Sequence, residues 1–146
     1  MRSKYEKKVL ETSLYLLNNS DVYENPLHKT ELYIPTTYQP DISLEFPSKL
    51  RFIELKGGYL RGESARKLAL LHKQEGTPLP HKPRHIELVV VTDKPGRVQR
   101  RKCTIVEWCK SHNIPCYTLD GYLPDWLFES EDLSDYPCAW QETVVQ

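Results

Sequence analysis

The segment 86–92, with its unbroken Ile-Glu-Leu-Val-Val-Val, constrains the fold of this chain more than any other. A short apolar run that is rich in β-branched residues is typical of a central strand covered on both faces of its sheet. The flanking sequence predicts three helices to pack on such a sheet, at residues 4–17, 64–74 and 104–112, the last of which begins with a capping box formed by Thr104 and Glu107. We therefore expect an α/β domain with a mixed central sheet flanked by helices.

Two further strands form a predicted hairpin. Residues 41–46 alternate strictly between polar and apolar side chains, and a second strand covers 50–56, after which two glycines end it. A four-residue loop, 46–49, with proline at its second position sets the register. In that register the numbers of opposed residues sum to 95, so Asp41 lies opposite Glu54.

The remaining sequence predicts little regular structure. Periodicity fails over 22–39, which Pro26 and Pro35 interrupt, so we expect an extended connector in which 31–34 is the only strand-like piece. A last short strand is predicted at 115–119.

Composition suits a single domain over 1–146 and excludes a membrane partner. The 146 residues contain no apolar run of the roughly 18 to 20 residues that cross a bilayer, and the N-terminus lacks the apolar core of a signal peptide. The expected location is the cytoplasm. Residues 1–110 hold all 20 basic residues and 13 of the 20 acidic ones, whereas 111–146 hold 7 acidic residues and no Lys or Arg. This asymmetry favours a polyanionic partner for the basic part, with ordinary solvated charge as the alternative.

The four cysteines lie in the last third of the chain. Without a sign of secretion, free thiols are expected at Cys103, Cys109, Cys116 and Cys138. A zinc site built from Cys103, Cys109, Cys116 and His112 is an alternative, but the spacing lacks the paired C-x-x-C knuckle of structural zinc sites.

The predicted hairpin brings two carboxylates and a lysine together at one point. Two acids directly opposed across strands have Cβ atoms about 4.5 to 5.5 Å apart, which is destabilising unless a cation lies between them. Lys56 is two residues beyond Glu54, so it shares the face of Asp41 and Glu54. Carboxylates favour Mg²⁺ or Mn²⁺ over zinc, and such an ion can activate water against a phosphodiester. From these residues alone, a nuclease site and a solvated sheet face both stay open.

Pro40-Asp41 followed by Glu54-Leu55-Lys56 resembles the PD-(D/E)xK signature of nucleases. From about residue 3 to 128 the chain is similar to the phage endonuclease I family of Holliday-junction resolvases. The segments that carry the similarity, in the family's order, are 3–9, 38–41, 52–57, 66–71, 86–91, 106–114 and 123–127. The hairpin is three residues longer than the family pattern.

The resemblance implies a role for each site residue. Asp41 would bridge two divalent ions, Mg²⁺ or Mn²⁺. Glu54 and the backbone carbonyl of Leu55 would complete the first ion's ligands, and Glu6 would hold the second. Lys56 would assist at the attacked phosphate. Each assignment has an alternative, since Glu6 also completes a Ser-x-x-Glu capping box and a lysine at this position can protect a strand edge from aggregation.

The resemblance also implies a fold, an assembly and a substrate. We expect a restriction-endonuclease-like core in an intertwined, domain-swapped homodimer, with 22–39 as the bridge and Glu6 meeting Asp41 of the other chain. Two such sites would cut four-way junctions and other branched DNA, recognised by shape through phosphate contacts. If the protein is phage-encoded, it would act in the host cytoplasm.

Basic residues outside the hairpin are candidates for DNA contact, and the acidic C-terminus is a candidate to oppose it. The candidate contacts are Arg66, Lys67, Arg97, Arg100, Arg101 and Lys102. The acidic tail, 129–146, is expected to lie over a basic groove, so that its removal would raise affinity for plain duplex. Two alternative functions remain: a site-specific nicking or homing endonuclease with the same hairpin, and a non-catalytic protein that binds branched DNA.

Overall fold

A computed structural model describes residues 3–31, 37–73 and 85–141. The helices are α1 (Lys4–Thr12), α2 (Leu14–Asn18), α3 (Gly62–Lys73), α4 (Ile105–Ser111) and α5 (Asp125–Glu129). The strands are β1 (Thr30–Glu31), β2 (Thr37–Tyr38), β3 (Ile42–Glu45), β4 (Lys49–Lys56), β5 (Tyr59–Leu60), β6 (His85–Thr92), β7 (Arg97–Val98) and β8 (Cys116–Thr118).

The central sheet is mixed, as predicted. Its strand order is β3-β4-β6-β8, with β3 antiparallel to β4 and the other neighbouring pairs parallel. The apolar run on β6 lies between two strands, and its residues 88–92 are completely buried. A strand in this position needs apolar side chains on both faces, which explains its lack of alternation.

The hairpin adopts the predicted register. Ile42 lies opposite Ile53 and Glu45 opposite Leu50, so opposed numbers sum to 95. The turn closes where the Phe46 N–H donates to the carbonyl of the residue that opens β4, at 2.8 Å. Loop length and alternation therefore sufficed to place the two strands against each other.

Each face of β4 is covered by different helices. Leu50 and Phe52 pack in a cluster with apolar residues of α3 and α4. Ile53 and Leu55 pack on the other face in a cluster with apolar residues of α1 and α5. Because side chains alternate along a strand, Glu54 points to the α3–α4 face.

The helix predicted over 4–17 is interrupted. Ser13 has extended backbone, with φ −82° and ψ 111°, which ends α1 and starts α2. The interruption lets Leu16 reach the core while Leu14 and Leu17 stay 69% and 58% exposed. The prediction of one continuous helix was therefore wrong, because the extended backbone at Ser13 divides the apolar stripe between two helices.

The other predicted helices differ from the structure only at their ends. The helix expected from residue 64 begins two residues earlier, where the Gly62 N–H donates to the Gln99 side chain at 2.8 Å. The helix predicted at 104–112 is α4, and the predicted capping box is present: Thr104 and Glu107 each bond the other's backbone N–H at 3.0 Å.

A small two-stranded sheet, β5 with β7, escaped prediction. It joins the chain just after β4 to the chain just after β6. Gly58 and Gly96 both have positive φ, of 82° and 67°, and a Cβ on Gly96 would lie 2.5 Å from the Gly58 carbonyl oxygen. The close approach of these two backbones therefore requires glycine on at least one side.

The described part of the connector 22–39 packs on its own chain. Tyr23 forms an antiparallel bridge to Ile42, and β1 pairs with β2. His28 and Tyr38 are buried, with 3% and 6% of their surfaces exposed. The described residues of this connector thus contact the hairpin of their own chain, and the expected bridge between two subunits stays a prediction. Residues 32–34 of the predicted strand-like piece lie outside the described residues.

The acidic segment is not a free tail. Arg51, fully buried in β4, donates from its guanidinium to the carbonyls of Leu127, Ser130 and Glu131 at 2.7 to 2.9 Å. Trp140 donates from its indole to the Ile114 carbonyl at 2.7 Å. The described part of this segment, 129–141, is thus held at the turn end of the hairpin by a buried cation, and its expected position over a DNA-binding groove stays a prediction. Residues 142–146 lie outside the described residues.

None of the helices in the described ranges has the length and apolar character that crossing a lipid bilayer requires.

Candidate active site

The three predicted hairpin residues meet at the open end of the hairpin. Asp41 immediately precedes β3, and the register places it opposite Glu54. The Lys56 ammonium lies 3.2 Å from Glu54 Oε1. Asp41 Oδ2 accepts the Leu55 N–H at 2.9 Å. Because the N–H and C=O of one strand residue point to the same edge, the Leu55 carbonyl faces the Asp41 side of β4.

Glu6 joins this end of the hairpin from α1. The helix starts at Ser3, whose hydroxyl accepts the Glu6 N–H at 3.1 Å. Carboxylate oxygens of Glu6, Glu24 and Asp41 all lie within 4.8 Å of one another. We call these three residues the carboxylate cluster. Glu6 was expected to meet Asp41 of a second chain, whereas here the two meet within one chain.

Glu24 is the member of the cluster that sequence reasoning missed. It has positive φ, of 50°, and its N–H donates to the Asp41 carbonyl at 2.7 Å. Its own carbonyl accepts the Gln39 side-chain amide at 2.7 Å. No periodicity or motif marks residue 24, since its position depends on a backbone contact between two irregular segments.

Two tyrosines donate hydrogen bonds to Glu6 and Glu54. The Tyr23 hydroxyl donates to Glu6 Oε2 at 2.6 Å, and the Tyr38 hydroxyl donates to Glu54 Oε2. Burial, together with the adjacent carboxylate, raises the pKa of each tyrosine far above its ordinary value. Both hydroxyls therefore stay protonated and act as donors that orient the glutamates.

Asp41 has a strongly raised pKa because of its position in the site. Burial and then the carboxylates of Glu54 and Glu6 raise the pKa of Asp41 to about 9, although the Leu55 N–H and the Lys56 ammonium oppose the shift. A group of hard oxygens under mutual repulsion is the donor set that Mg²⁺ and Mn²⁺ accept. The side chains present therefore fit the divalent ion that the sequence implies.

Glu54 stands beside the carboxylate cluster rather than in it. Its two oxygens are engaged by Lys56 and Tyr38. A carboxylate has about four lone-pair sites, so these two contacts leave Glu54 able to bind a cation. The structure thus brings Glu6 and Asp41 together with Glu24, and places Glu54 and Lys56 next to them.

The alternative zinc site finds no support. Among the residues that the structure describes, the carboxylate cluster is the only group of three or more His, Cys, Asp or Glu side chains arranged to hold a metal. All four cysteines are free, and Cys109, Cys116 and Cys138 are buried. His112 stacks on Trp108, with 4.2 Å between ring centroids.

The predicted DNA-contacting residues lie on two elements and one turn. Arg66 and Lys67 are on α3, Arg97 is on β7, and the turn that follows β7 carries Arg100, Arg101 and Lys102. Arg66, Arg100 and Arg101 line a common groove of about 500 Å³, whereas Lys67 lies 3.8 Å from the Glu63 carboxylate on its own helix.

Comparison with protein-family models, with curated proteins and with solved structures finds no match to this chain. Membership of the phage endonuclease I family therefore stays a prediction from the residues themselves.

Proposed function

We propose that this protein is a metal-dependent, structure-selective DNA endonuclease that hydrolyses phosphodiesters in four-way junctions and other branched DNA. One observation carries the proposal. The hairpin register opposes Asp41 to Glu54, directs the Leu55 backbone to the Asp41 side chain, and sets Lys56 against Glu54. This arrangement supports the proposal because it brings together the residues that match the PD-(D/E)xK signature.

The ligands for the proposed metal come from both sides of Asp41. Asp41 with Glu6 and Glu24 offers one set of hard oxygens, and Asp41 with Glu54 and the Leu55 carbonyl offers a second. Asp41 is the shared member, which fits two ions per site. When bound, Mg²⁺ or Mn²⁺ would screen the anionic phosphodiester and lower the pKa of a coordinated water.

The protein's own groups position the reacting atoms. Lys56, 17% exposed and held 3.2 Å from Glu54, can reach a phosphate oxygen while remaining fixed by its carboxylate partner. Asp41 is held by the Leu55 N–H, so one of its oxygens has a defined direction before any ligand arrives. Tyr23 and Tyr38 supply the same restraint to Glu6 and Glu54.

We further propose a cytoplasmic homodimer with one site per chain. Cutting two strands of one junction within a single encounter requires two sites at a constant separation. In the described residues each chain completes its own carboxylate cluster, so dimerisation by exchange is not needed to build a site.

A gel assay tests the substrate and the metal together. The protein is incubated with an immobile four-way junction of arbitrary sequence and with linear duplex of the same arms, in Mg²⁺, in Mn²⁺ and in EDTA. We expect metal-dependent cleavage of the junction only. Cleavage confined to one sequence in both substrates would indicate the site-specific alternative, and junction binding without cleavage in any metal would indicate the non-catalytic one.

Two substitutions test the mechanism. Asp41→Asn and Lys56→Ala should each abolish cleavage while junction binding in EDTA persists, because Asp41 would hold the metal and Lys56 would contact the reacting phosphate, and neither would contact the DNA arms. Glu11→Gln and Lys110→Ala are the matched controls. They remove one negative and one positive charge from exposed helix positions, and both variants should cleave normally. Activity that survives both site substitutions would contradict the proposal.

A further inference from the structure

A groove separates α3 from α4 beside the turn that follows β7. Arg66 of α3 and both Arg100 and Arg101 of the turn contribute to its lining, as do Trp108 of α4 and His112, which directly follows α4. Its volume is about 500 Å³, which is within the range of specific ligand sites. Alanines of α3 form part of the lining, and their small side chains leave the groove open.

The groove is cationic and its charge is not neutralised. None of the described residues that line it is acidic. Within the described residues, no carboxylate lies within 4.0 Å of Arg66, Arg100 or Arg101, although other lysines and arginines of the chain have such partners. Exposed guanidinium groups that converge without a carboxylate are suited to bind phosphate, which they contact through two parallel N–H donors.

The groove lies at the end of the sheet that carries the catalytic hairpin residues. Gly62 at the start of α3 is six residues beyond Lys56, and its N–H is bonded to the Gln99 side chain. The Gln99 N–H donates in turn to the Leu60 carbonyl at 2.8 Å. These bonds attach the arginine-bearing turn to the chain that leaves β4. Glu54 and Lys56 also point to the face that α3 and α4 cover.

We propose that this groove binds the sugar-phosphate backbone of DNA at a second position, away from the phosphate that is cut. The inference rests on the proposed nuclease function, because it assumes that DNA lies across the same end of the sheet. The groove contributes affinity and orientation through Arg66, Arg100 and Arg101, and it contributes no group to bond cleavage. The proposal assigns no DNA contact to Lys67 and Arg97, which the sequence also offered as candidates, because neither lines the groove and Lys67 is paired with Glu63.

The experiment compares two pairs of substitutions that remove equal charge. Arg66→Gln with Arg101→Gln changes the groove, and Lys67→Gln with Arg97→Gln changes its surroundings. Junction DNA binding is measured by fluorescence anisotropy in EDTA from 50 to 300 mM salt. Each phosphate contact contributes about 0.9 to the slope of log K against log salt, so the groove pair should lower the slope by about 1.8. The control pair should leave it near the wild-type value.

A second measurement locates the contact without any substitution. Phenylglyoxal modification of arginines is followed by mass spectrometry with and without junction DNA. We expect DNA to protect Arg66, Arg100 and Arg101 but not Arg97. Equal loss of slope in both pairs, or equal protection of Arg97, would overturn the proposal. So would full displacement of junction DNA by a mononucleotide at the same phosphate concentration, since that would mark a site for free nucleotides.

The outcomes separate this inference from the nuclease function. All binding is measured in EDTA, so no cleavage is needed. Groove protection without cleavage in Mg²⁺ or Mn²⁺ would contradict the enzyme and support the groove. If the wild-type protein cleaves junctions but the variant with Arg66→Gln and Arg101→Gln binds DNA as the wild type does, the result would support the enzyme and contradict the groove.

Discussion

At the scale of single residues, the site is organised around the Asp41 carboxyl group. Burial and the neighbouring carboxylates make its ionised form unfavourable. Asp41 is opposed by Glu54, approached by Glu6 and Glu24, and relieved only in part by Lys56. Such a position costs stability in the absence of a cation, and the divalent ion that we propose would relieve the repulsion.

The raised pKa of Asp41 predicts how the metal-free protein responds to pH. The carboxyl titrates near 3.8 in the unfolded chain and at about 9 in the folded one. The folded state therefore retains a proton that the unfolded state releases, and the free energy of unfolding falls as pH rises from about 4 to about 9. Urea unfolding in EDTA across this range measures the decline, which Asp41→Asn should flatten. Parallel curves for the two proteins would contradict the assignment.

Glu24 should matter for the metal and not for the fold. Glu24→Gln keeps the backbone bonds to Asp41 and Gln39 but removes one anionic oxygen donor. We expect the Mg²⁺ concentration for half-maximal cleavage to rise roughly tenfold, because one charge adjacent to a divalent ion is lost. Glu11→Gln is the matched control on an exposed position. An unchanged Mg²⁺ dependence would remove Glu24 from the ligand set.

At the scale of elements, the hairpin connects two ends of the protein with different tasks. Its open end carries Asp41 and Lys56, and its turn end holds the C-terminal segment through Arg51. Arg51 is fully buried, and it also pairs with Glu87 at 2.5 Å. One ribbon thus supports both the candidate chemistry and the docking of the last described residues.

Loss of the Arg51 contact should destabilise the whole domain. Arg51→Met leaves three buried or half-buried carbonyls without their donor, and we expect a loss of about 3 to 5 kcal/mol in the free energy of unfolding. Lys49→Met removes the other partner of Glu87, at 3.0 Å and partly exposed, and should cost about 1 kcal/mol or less. Urea unfolding compares the two variants. Similar small losses in both would mean that the segment is not anchored by Arg51.

At the scale of the whole molecule, exposed apolar residues suggest where a second copy binds. Leu14 and Leu17, three residues apart on α2, lie on one side of that helix and are 69% and 58% exposed. The proposed homodimer would cover this side and would explain why leucines occupy it.

The dimer is tested by sedimentation velocity. We expect the protein to sediment at twice its chain mass of 17.1 kDa, and Leu14→Asp with Leu17→Asp to shift it to the monomer. Leu27→Asp, at an exposed leucine outside α2, should leave the mass unchanged. A wild-type monomer that cleaves junctions would show that one chain suffices.

The amino-acid sequence alone determined the elements whose information is local. Alternation and turn length predicted the hairpin and its register, so the opposition of Asp41 and Glu54 was predictable. The apolar run at 86–92 predicted the buried central strand, and Thr104 with Glu107 predicted the start of α4. Each of these depends on residues a few positions apart, for which backbone geometry leaves few alternatives.

Only the tertiary structure decided the contacts between distant segments. The entry of Glu24 into the carboxylate cluster and the docking of residues 129–141 on Arg51 each join parts of the chain that have no mutual pattern. The groove between α3 and α4 is likewise lined by the turn after β7, which the pairing of β5 with β7 attaches to the chain before α3. Such contacts follow from how whole elements share space around the sheet, and a linear pattern does not contain that geometry.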